Sequence, residues 1–362
     1  MRELKDLTVV LTACNGLISP SQIAGLKSVT ERNIRIIGTD AQTQGAGSKL
    51  VDDFVQVPNG NDSTYTDSIY RICASEGVDA VLPASDLEVH SLSAEKDRFQ
   101  EIGTTVVANN HSVVDRAGDK GKFLEYISAQ GLPCAGYRIP KDISAFRTAC
   151  HELGYPDHPV VMKPRFARGN RGMRIIKSDI NKGDLLLNEK PGQPYTTLEH
   201  AAEALTSPGL DSFPSLVVME YLPGTEYSVD VLAEEGNPLI MVPKRRVETA
   251  PGLSVIGEVD LNRTVIEAVA DICTTFGFKY NVNIQLRKGR DGCLYPYEVN
   301  PRIAASIDAC RHAGANLLYY GIKLAIGEEI PEVSLTDGLR MIRYYEAHYT
   351  KTDESPGHPV SQ

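Results

Sequence analysis

Apolar residues in the first third of the chain gather in short β-branched runs at 7–14, 34–40, 53–58, 79–84 and 104–108, and stretches of helical period lie between several of them, 20–30 and 63–76 among these. Strand-length runs alternating with helix-length segments predict parallel βαβ units, an open sheet flanked by helices. From about His111 the rhythm changes to longer helices and antiparallel strands. A helix is expected over 121–130, stopped by Gly131-Leu132-Pro133, and strands over 159–164 and 173–177 bracket a turn containing glycine and arginine. Residues 179–214 are long and polar, with Pro191-Gly192-Gln193-Pro194 in their middle, and read as a partly mobile insertion carrying a helix near 197–205. Two hairpins follow, 229–242 turning at Glu235-Gly236-Asn237 and 281–299 turning at Gly289-Arg290-Asp291-Gly292. An amphipathic helix over 263–276 separates them, and 315–326 is the last long helix. The tail from Thr350 has two prolines and no apolar period and is expected to be disordered.

The 362 residues suffice for two or three compact units with a cleft between lobes. With 37 basic and 47 acidic residues the formal net charge is −10, so neither nucleic acid nor an anionic membrane is an expected partner, since both are held by a basic face. No apolar run reaches the roughly 18 residues that span a bilayer. The first residues lead into a strand without a small-residue cleavage site, and the expected compartment is the cytoplasm. Seven scattered cysteines with no CxxC pair read as reduced, mostly buried thiols. The eight histidines are separated, and no Ser/His/Asp or Cys/His set can be assembled around them, with His312 the one position close to a candidate site. The glycines of a dinucleotide fingerprint are absent after the first strand, so a nicotinamide or flavin is not expected there.

Three segments carry chemistry. In Tyr297-Glu298-Val299-Asn300-Pro301-Arg302, Glu298 and Asn300 stand two apart, so on a strand both point to one face and can share a hard cation through oxygen. Arg302 continues that spacing if the strand persists past Pro301, and Gln285, opposite on the hairpin, offers a third oxygen. One carboxylate with two amides suits Mg²⁺, which keeps water and phosphate oxygens as its other ligands. In the second segment Lys163 ends an apolar strand and opens a loop with Arg165, Arg168, Gly169, Arg171 and Gly172. Backbone N–H groups of such a turn, with lysine as a compact charge, can wrap a polyphosphate, although no Walker loop is present. The third runs from Val217 through Glu220, Tyr221, Leu222 and Gly224 to Glu226, a hinge able to present backbone groups to an adenine and a carboxylate to ribose hydroxyls.

The order Lys120, Lys163 with its loop, the hinge 220–226, Gln285 and Glu298-x-Asn300-x-Arg302 resembles the ATP-grasp superfamily over about residues 7–330. It is most similar to a single synthetase half of carbamoyl-phosphate synthase large subunits, with Gln285 standing where many other ATP-grasp ligases have Glu. The resemblance implies an α/β and α+β fold: a Rossmann-like pre-ATP-grasp domain (1–111), an ATP-grasp domain (112–340) with a mobile lid subdomain at about 150–222, and a C-terminal segment (341–362). It further implies that Lys120 and Lys163 contact the phosphates of ATP and that residues from Gly169 to Gly172, with Arg168, cover them. Glu220, Tyr221 and Leu222 would frame the adenine, and Glu226 would hold the ribose. Gln285, Glu298 and Asn300 would position Mg²⁺ or Mn²⁺, and Arg302 would act with Lys163 on the phosphoryl group and the acyl phosphate.

An ATP-dependent carboxylate–amine ligase releasing ADP and phosphate is the implied activity, acting on small-molecule carboxylate and amine substrates, with a homodimer through the N-terminal domain as the superfamily's habit. Two alternatives stand beside it, a carbamoyl-phosphate-synthase-like kinase acting on bicarbonate or carbamate and a nucleotide-binding module without catalysis. The chain has room for one synthetase half only, and its lid is richer in arginine and poorer in glycine than in those enzymes. Lys244, Arg245 and Arg246 are candidates for gripping an anionic carboxylate. Asp86 and Glu88, at a strand's C-terminal end where open α/β sheets place ligands, are candidates for binding an amine or, alternatively, form a helix cap with a first-turn acid.

Overall fold

A computed structural model describes residues 4–166, 171–181, 183, 187–188, 193–207, 212–250 and 252–349. The β-branched runs of the first third form β1 (Leu7–Leu11), β2 (Ile34–Asp40), β3 (Asp53–Gln56), β4 (Ala80–Leu82) and β5 (Thr105–Val106). They make an all-parallel sheet in the order β3-β2-β1-β4-β5. Period-two alternation sends Leu7, Val9 and Leu11 to one face and Val10 to the other. The Val10 face packs on α2 (Tyr65–Glu76) and α3 (Asp86–Ala94). The Leu7 face packs on α1 (Ser19–Lys27), on α10 (Ile307–His312) and α11 (Leu317–Ala325) near the chain's end, and on Leu232, Ile240 and Val242. Both faces are thus covered, as a parallel sheet requires, and one core joins the N-terminal sheet to the far end of the chain. Two more helices, α4 (Lys96–Gln100) and α5 (His111–Gly118), complete this part.

Two further sheets build the rest. The first has the order β6-β10-β7-β8-β9, from β6 (Tyr137–Arg138), β7 (Val160–Pro164), β8 (Arg174–Ile176), β9 (Tyr195–Thr196) and β10 (Leu216–Glu220). It buries its apolar side against α7 (Ile143–Glu152) and α8 (Leu198–Leu205). It starts at Tyr137, ahead of the expected boundary near 150, because the two-residue strand β6 is too short to leave a periodic signal.

The second has the order β15-β14-β11-β12-β13-β16, from β11 (Glu226–Glu234), β12 (Asn237–Ala250), β13 (Leu253–Val259), β14 (Tyr280–Lys288), β15 (Leu294–Asn300) and β16 (Arg340–Ile342). Its apolar alternates, including Tyr227, Val229, Val231, Val282, Ile284 and Leu286, pack on α6 (Lys120–Ala129) and α9 (Arg263–Phe276). The residues between them, Glu226, Ser228, Asp230, Asn283, Gln285 and Arg287, therefore share the opposite, polar face. The first hairpin, expected to turn at 235–237, turns in two residues, Glu235 and Gly236, both at positive φ, and Asn237 already opens β12.

Two expectations need correction. β12 continues through the basic segment to Ala250 and pairs with β13, strands that charged and polar alternation concealed. β15 ends at Asn300, and Arg302 lies in a turn whose N–H donates to the Asn300 carbonyl at 2.8 Å. The tail from Thr350 lies outside the described residues. All seven cysteines are free thiols, five of them buried. Among the described residues no helix is long and apolar enough to cross a membrane.

Candidate active site

Lys120 is the first residue of α6, whose N-cap Asp119 accepts from the Gly121 N–H at 2.8 Å. Asp119 is buried and also takes both arms of Arg165, at 2.7 and 2.6 Å, while the Lys120 N–H donates to the Arg165 carbonyl at 3.3 Å. The loop leaving Lys163 is thereby tied to the helix start that carries Lys120, and two lysines distant in sequence both reach β15. Lys163 Nζ lies 4.3 Å from the centre of the Tyr297 ring, and Lys120 Nζ lies 3.8 Å from Glu298 Oε1. Burial lowers the Lys163 pKa to about 8; Glu298 and Glu226 oppose that shift and Lys120 adds to it. Gly172 returns the chain onto Pro164 at φ +72°, where an added Cβ would meet the proline ring at 2.6 Å. Arg168 and Gly169 lie outside the described residues.

The second hairpin delivers the oxygen donors. Gln285 is directly opposite Glu298 and Asn283 opposite Asn300, with a bulge between Gln285 and Leu286 that leaves Tyr297 as the extra residue on β15. The bulge turns Tyr297 toward the cleft, where its hydroxyl contacts Gln285 Oε1 at 2.8 Å and Glu226 Oε1 at 2.7 Å. Sequence reading passed over Tyr297; the available signal was Pro296, a residue that within a strand marks an edge or a bulge. Glu298, Gln285 and Asn300 offer one carboxylate and two amide oxygens on one side of the sheet, a hard-donor set that fits Mg²⁺ completed by phosphate and water. Among the described residues no group of three or more His, Cys, Asp or Glu could hold a metal.

The hinge runs from Glu220 on β10 to Glu226 on β11. Gly136 and Glu220 exchange backbone and side-chain hydrogen bonds at 2.9 Å, and Leu222 is buried in the core. The Gly224 N–H donates to the Lys288 carbonyl at 2.9 Å, an approach only glycine permits, since a Cβ there would lie 2.6 Å from that of Lys288. Tyr221 is half-buried, with Arg287 over its ring at 5.6 Å. Glu226 is not an isolated acid: Arg246 and Tyr297 hold one oxygen and Arg287 stands 3.7 Å from the other.

The arginines separate by strand face. Arg246 joins Glu226 and donates to Ser254 Oγ at 2.9 Å, whereas Arg245 and Arg340 each bind Glu258 at 2.9 Å. Together with Arg287 these four guanidiniums and Glu226 line an open cleft of about 390 Å³. Lys244, grouped with them in the sequence, is instead buried, and its ammonium meets Asp230.

Arg302 binds Asp86 through two hydrogen bonds, at 2.7 and 3.0 Å, and donates to Asn300 Oδ1 at 3.2 Å. Asp86 opens α3 and reaches the cleft. Glu88, two residues further along the helix, is buried and accepts from Thr12 Oγ1 at 2.5 Å. The two acids expected together at an amine site are thus separated by the helix turn, and Glu88 faces the core of the parallel sheet. His312 is exposed and contacts Arg311 and Asp308, away from the oxygen donors.

Comparison with known proteins agrees with this architecture. Residues 212–347 match the family model described as ATP-grasp in the biosynthetic pathway with Ter operon, and residues 21–107 match that of the PylC-like N-terminal domain. The carbamoyl phosphate synthase large chain of Methanothermobacter thermautotrophicus is 22% identical over 244 residues, covering 66% of this chain and 22% of that one. The chain therefore spans about a fifth of that relative's length. Among solved structures, the biotin carboxylase domain dimer of Hydrogenobacter thermophilus 2-oxoglutarate carboxylase, with MgADP, ADP and bicarbonate, aligns at TM-score 0.68 and 18% identity, over 93% of this chain and 74% of that one. N5-carboxyaminoimidazole synthetase of Staphylococcus aureus with ADP aligns at TM-score 0.66 and 14% identity, over 92% and 81%. At these identities the structural likeness speaks for the fold.

Proposed function

We propose that this chain, an ATP-grasp protein by fold and by family match, is an ADP-forming ligase that activates a carboxylate as an acyl phosphate and joins it to an amine. The observation that carries the reading is the gathering of Lys120, Lys163, Gln285 and Arg302 about Tyr297, Glu298 and Asn300 on β15. A carboxylate is a poor electrophile because its leaving group would be oxide. Its oxygen attacks the γ-phosphorus of ATP, ADP departs, the amine nitrogen attacks the acyl carbon, and phosphate leaves as the nitrogen loses a proton. Positioning and charge neutralisation carry such a transfer, which is why cations outnumber proton-transfer groups here.

In this reading Lys120 and Lys163 hold the phosphates, with Arg168, Gly169 and Gly172 covering them. Glu220, Tyr221 and Leu222 frame the adenine, and Glu226 meets the ribose. Gln285, Glu298 and Asn300 would hold the cation, Mg²⁺ or Mn²⁺, which when bound would supply neutralising charge for the phosphates. Arg302 stabilises the phosphoryl group in flight, a role suited to a fixed guanidinium. The cleft of four arginines supports Arg245 and Arg246 as the grip on the substrate's carboxylate, and Asp86, beside Arg302, as the contact for its amine partner. A homodimer through the N-terminal sheet belongs to the same proposal.

One observation favours a second reading. Gln285 at the cation site, with the match to carbamoyl phosphate synthase large chains, supports bicarbonate or carbamate as the activated group. Nucleotide product analysis with Mg²⁺ and ATP tests both. ADP and phosphate appearing with pooled amino acids and small carboxylates support the ligase; stimulation by bicarbonate with ammonia or glutamine supports the second reading. AMP and pyrophosphate would sink the acyl-phosphate mechanism.

A further inference from the structure

We infer that the buried Asp230–Lys244 ion pair and Asn283 are positioning residues that fix which way the amides of Gln285 and Asn300 point, so that both present oxygen to the cation. The inference rests on the reading of Gln285, Glu298 and Asn300 as the cation's ligands. Asp230 and Lys244 lie within a sheet interior, their side chains 3% and 4% exposed. An ion pair so buried is costly unless its remaining oxygens are satisfied. Asp230 meets that condition. One of its oxygens takes Lys244, Ser306 Oγ at 3.1 Å and Cys310 Sγ at 3.4 Å, and the other accepts from Asn283 Nδ2 at 2.9 Å.

The consequence follows from donor and acceptor counting. A carboxylate paired with lysine is ionised and only accepts, so the group Asn283 turns toward it must be its NH₂. Ser228 Oγ at 2.9 Å and the Val229 carbonyl at 3.3 Å take the same amino group. With its nitrogen claimed on that side, Asn283 aims its oxygen at the cleft. There Gln285 Nε2 donates to it at 3.3 Å and Asn300 Nδ2 lies at 3.5 Å. Each of these amides, having turned its nitrogen to Asn283, turns its own oxygen away from it. Asn300 Oδ1 accepts from Arg302, an obligate donor, which confirms the orientation of that amide from the other end. The register makes this a row: Asp230 is opposite Asn283 on β14, and Asn283 is opposite Asn300 on β15. An amide in the wrong flip would offer N–H to a cation, so the row decides whether the site is a ligand set at all.

The test reads Mn²⁺ binding by electron paramagnetic resonance in the presence of ADP, alongside ADP affinity in EDTA and melting temperature. Asp230→Asn offers Asn283 an amide that no longer dictates its flip, and Mn²⁺ affinity should fall at least about tenfold while ADP affinity in EDTA stays within about twofold. Asp230→Asn combined with Asn283→Asp restores an acceptor facing Gln285 and Asn300 with the buried charge count unchanged, and should recover Mn²⁺ affinity to within about threefold. Unchanged affinity in the single variant overturns the inference, and so does a loss that the double variant leaves unrepaired, since that would be structural damage. If Asp230→Asn does not fold, Asn283→Ser, which leaves the ion pair whole, carries the same expectation of a tenfold loss, and wild-type affinity in it overturns the inference. A wild-type protein that binds ADP but takes up no Mn²⁺ removes the ligand reading and this inference with it; one that binds both while the variants do so equally removes the inference alone.

Discussion

Arg302 and Asp86 join two parts of the molecule that are 216 residues apart in sequence: the guanidinium just past β15 is held by two hydrogen bonds to the carboxylate that opens α3 of the parallel sheet. Such a fork-to-carboxylate pair fixes orientation as well as distance, which lysine in either position could not do. The N-terminal unit is therefore more than a support, since it sets the aim of an arginine that donates to Asn300 on β15. Arg302→Met should cut the rate of ADP formation about 100- to 1,000-fold, the scale for removing one preorganised donor at a transferring group, with ADP affinity nearly unchanged. Asp86→Asn keeps the arginine but loosens it, and a misplacement on the order of 1 Å costs up to about a hundredfold. Steady-state ADP release together with calorimetric ADP binding separates the two; equal affinity loss in both would mean that Arg302 binds nucleotide rather than aiding transfer.

The Glu298 carboxylate is the only charged member of its donor set. Glu298→Gln preserves shape and removes that charge, so turnover should drop at least about a hundredfold through lost cation stabilisation. At 3.8 Å the contact with Lys120 is too long to be a hydrogen bond and the amide keeps the side chain's shape, so the melting temperature should hold. Turnover near wild type would remove Glu298 from the cation site.

Much of this was legible before the fold was known, and for physical reasons. Period two placed Glu298 with Asn300, the alternating runs foretold the first sheet, and the amphipathic period of 263–276 made it a clear helix. What the chain concealed were relations that only pairing creates. Pro296 marks a bulge, but nothing local says that Tyr297 there reaches Glu226, that Lys244 is buried, or that Asp86 and Arg302 meet. Asp230, a lone acid within the apolar run 229–233, was the one visible hint of a buried pair.

The four arginines of the cleft differ in what they can be asked to do. Arg246 is largely buried against Glu226, while Arg245 and Arg340 are 43% and 60% exposed and share Glu258. A buried guanidinium is little screened by solvent, so Arg246→Gln should raise the KM for the carboxylate substrate by about 10- to 100-fold, the scale of a hydrogen bond to a charged group. Arg340→Gln should shift it by less than about fivefold, as exposed pairs do. Initial-rate kinetics with whichever acid the product screen identifies would check this, and the opposite ranking would place the substrate at the outer rim of the cleft.

Glu88 offers a test that needs no substrate. Burial raises its pKa above the ordinary carboxylate range, the nearby Asp40 adds to the shift, and hydrogen bonds from Thr12 and Ser85 oppose it. A carboxyl whose folded pKa is raised stabilises the fold fully below its unfolded pKa of roughly 4.3, and loses that contribution as pH climbs through the folded value. The neutral form is the one the core accepts, so above that value the folded state carries an ionised group it would rather have protonated. Glu88→Gln supplies a permanently neutral side chain of the same size that still accepts from Thr12. Its melting temperature should exceed that of the wild type at pH 8, and the gap should close as pH falls toward 4.5. Thermal unfolding followed by circular dichroism across that range would decide it: a variant less stable than the wild type at pH 8, with the deficit vanishing as pH falls toward 4.5, would show that the carboxylate is held for its charge, and would return Glu88 to the candidates for an amine contact.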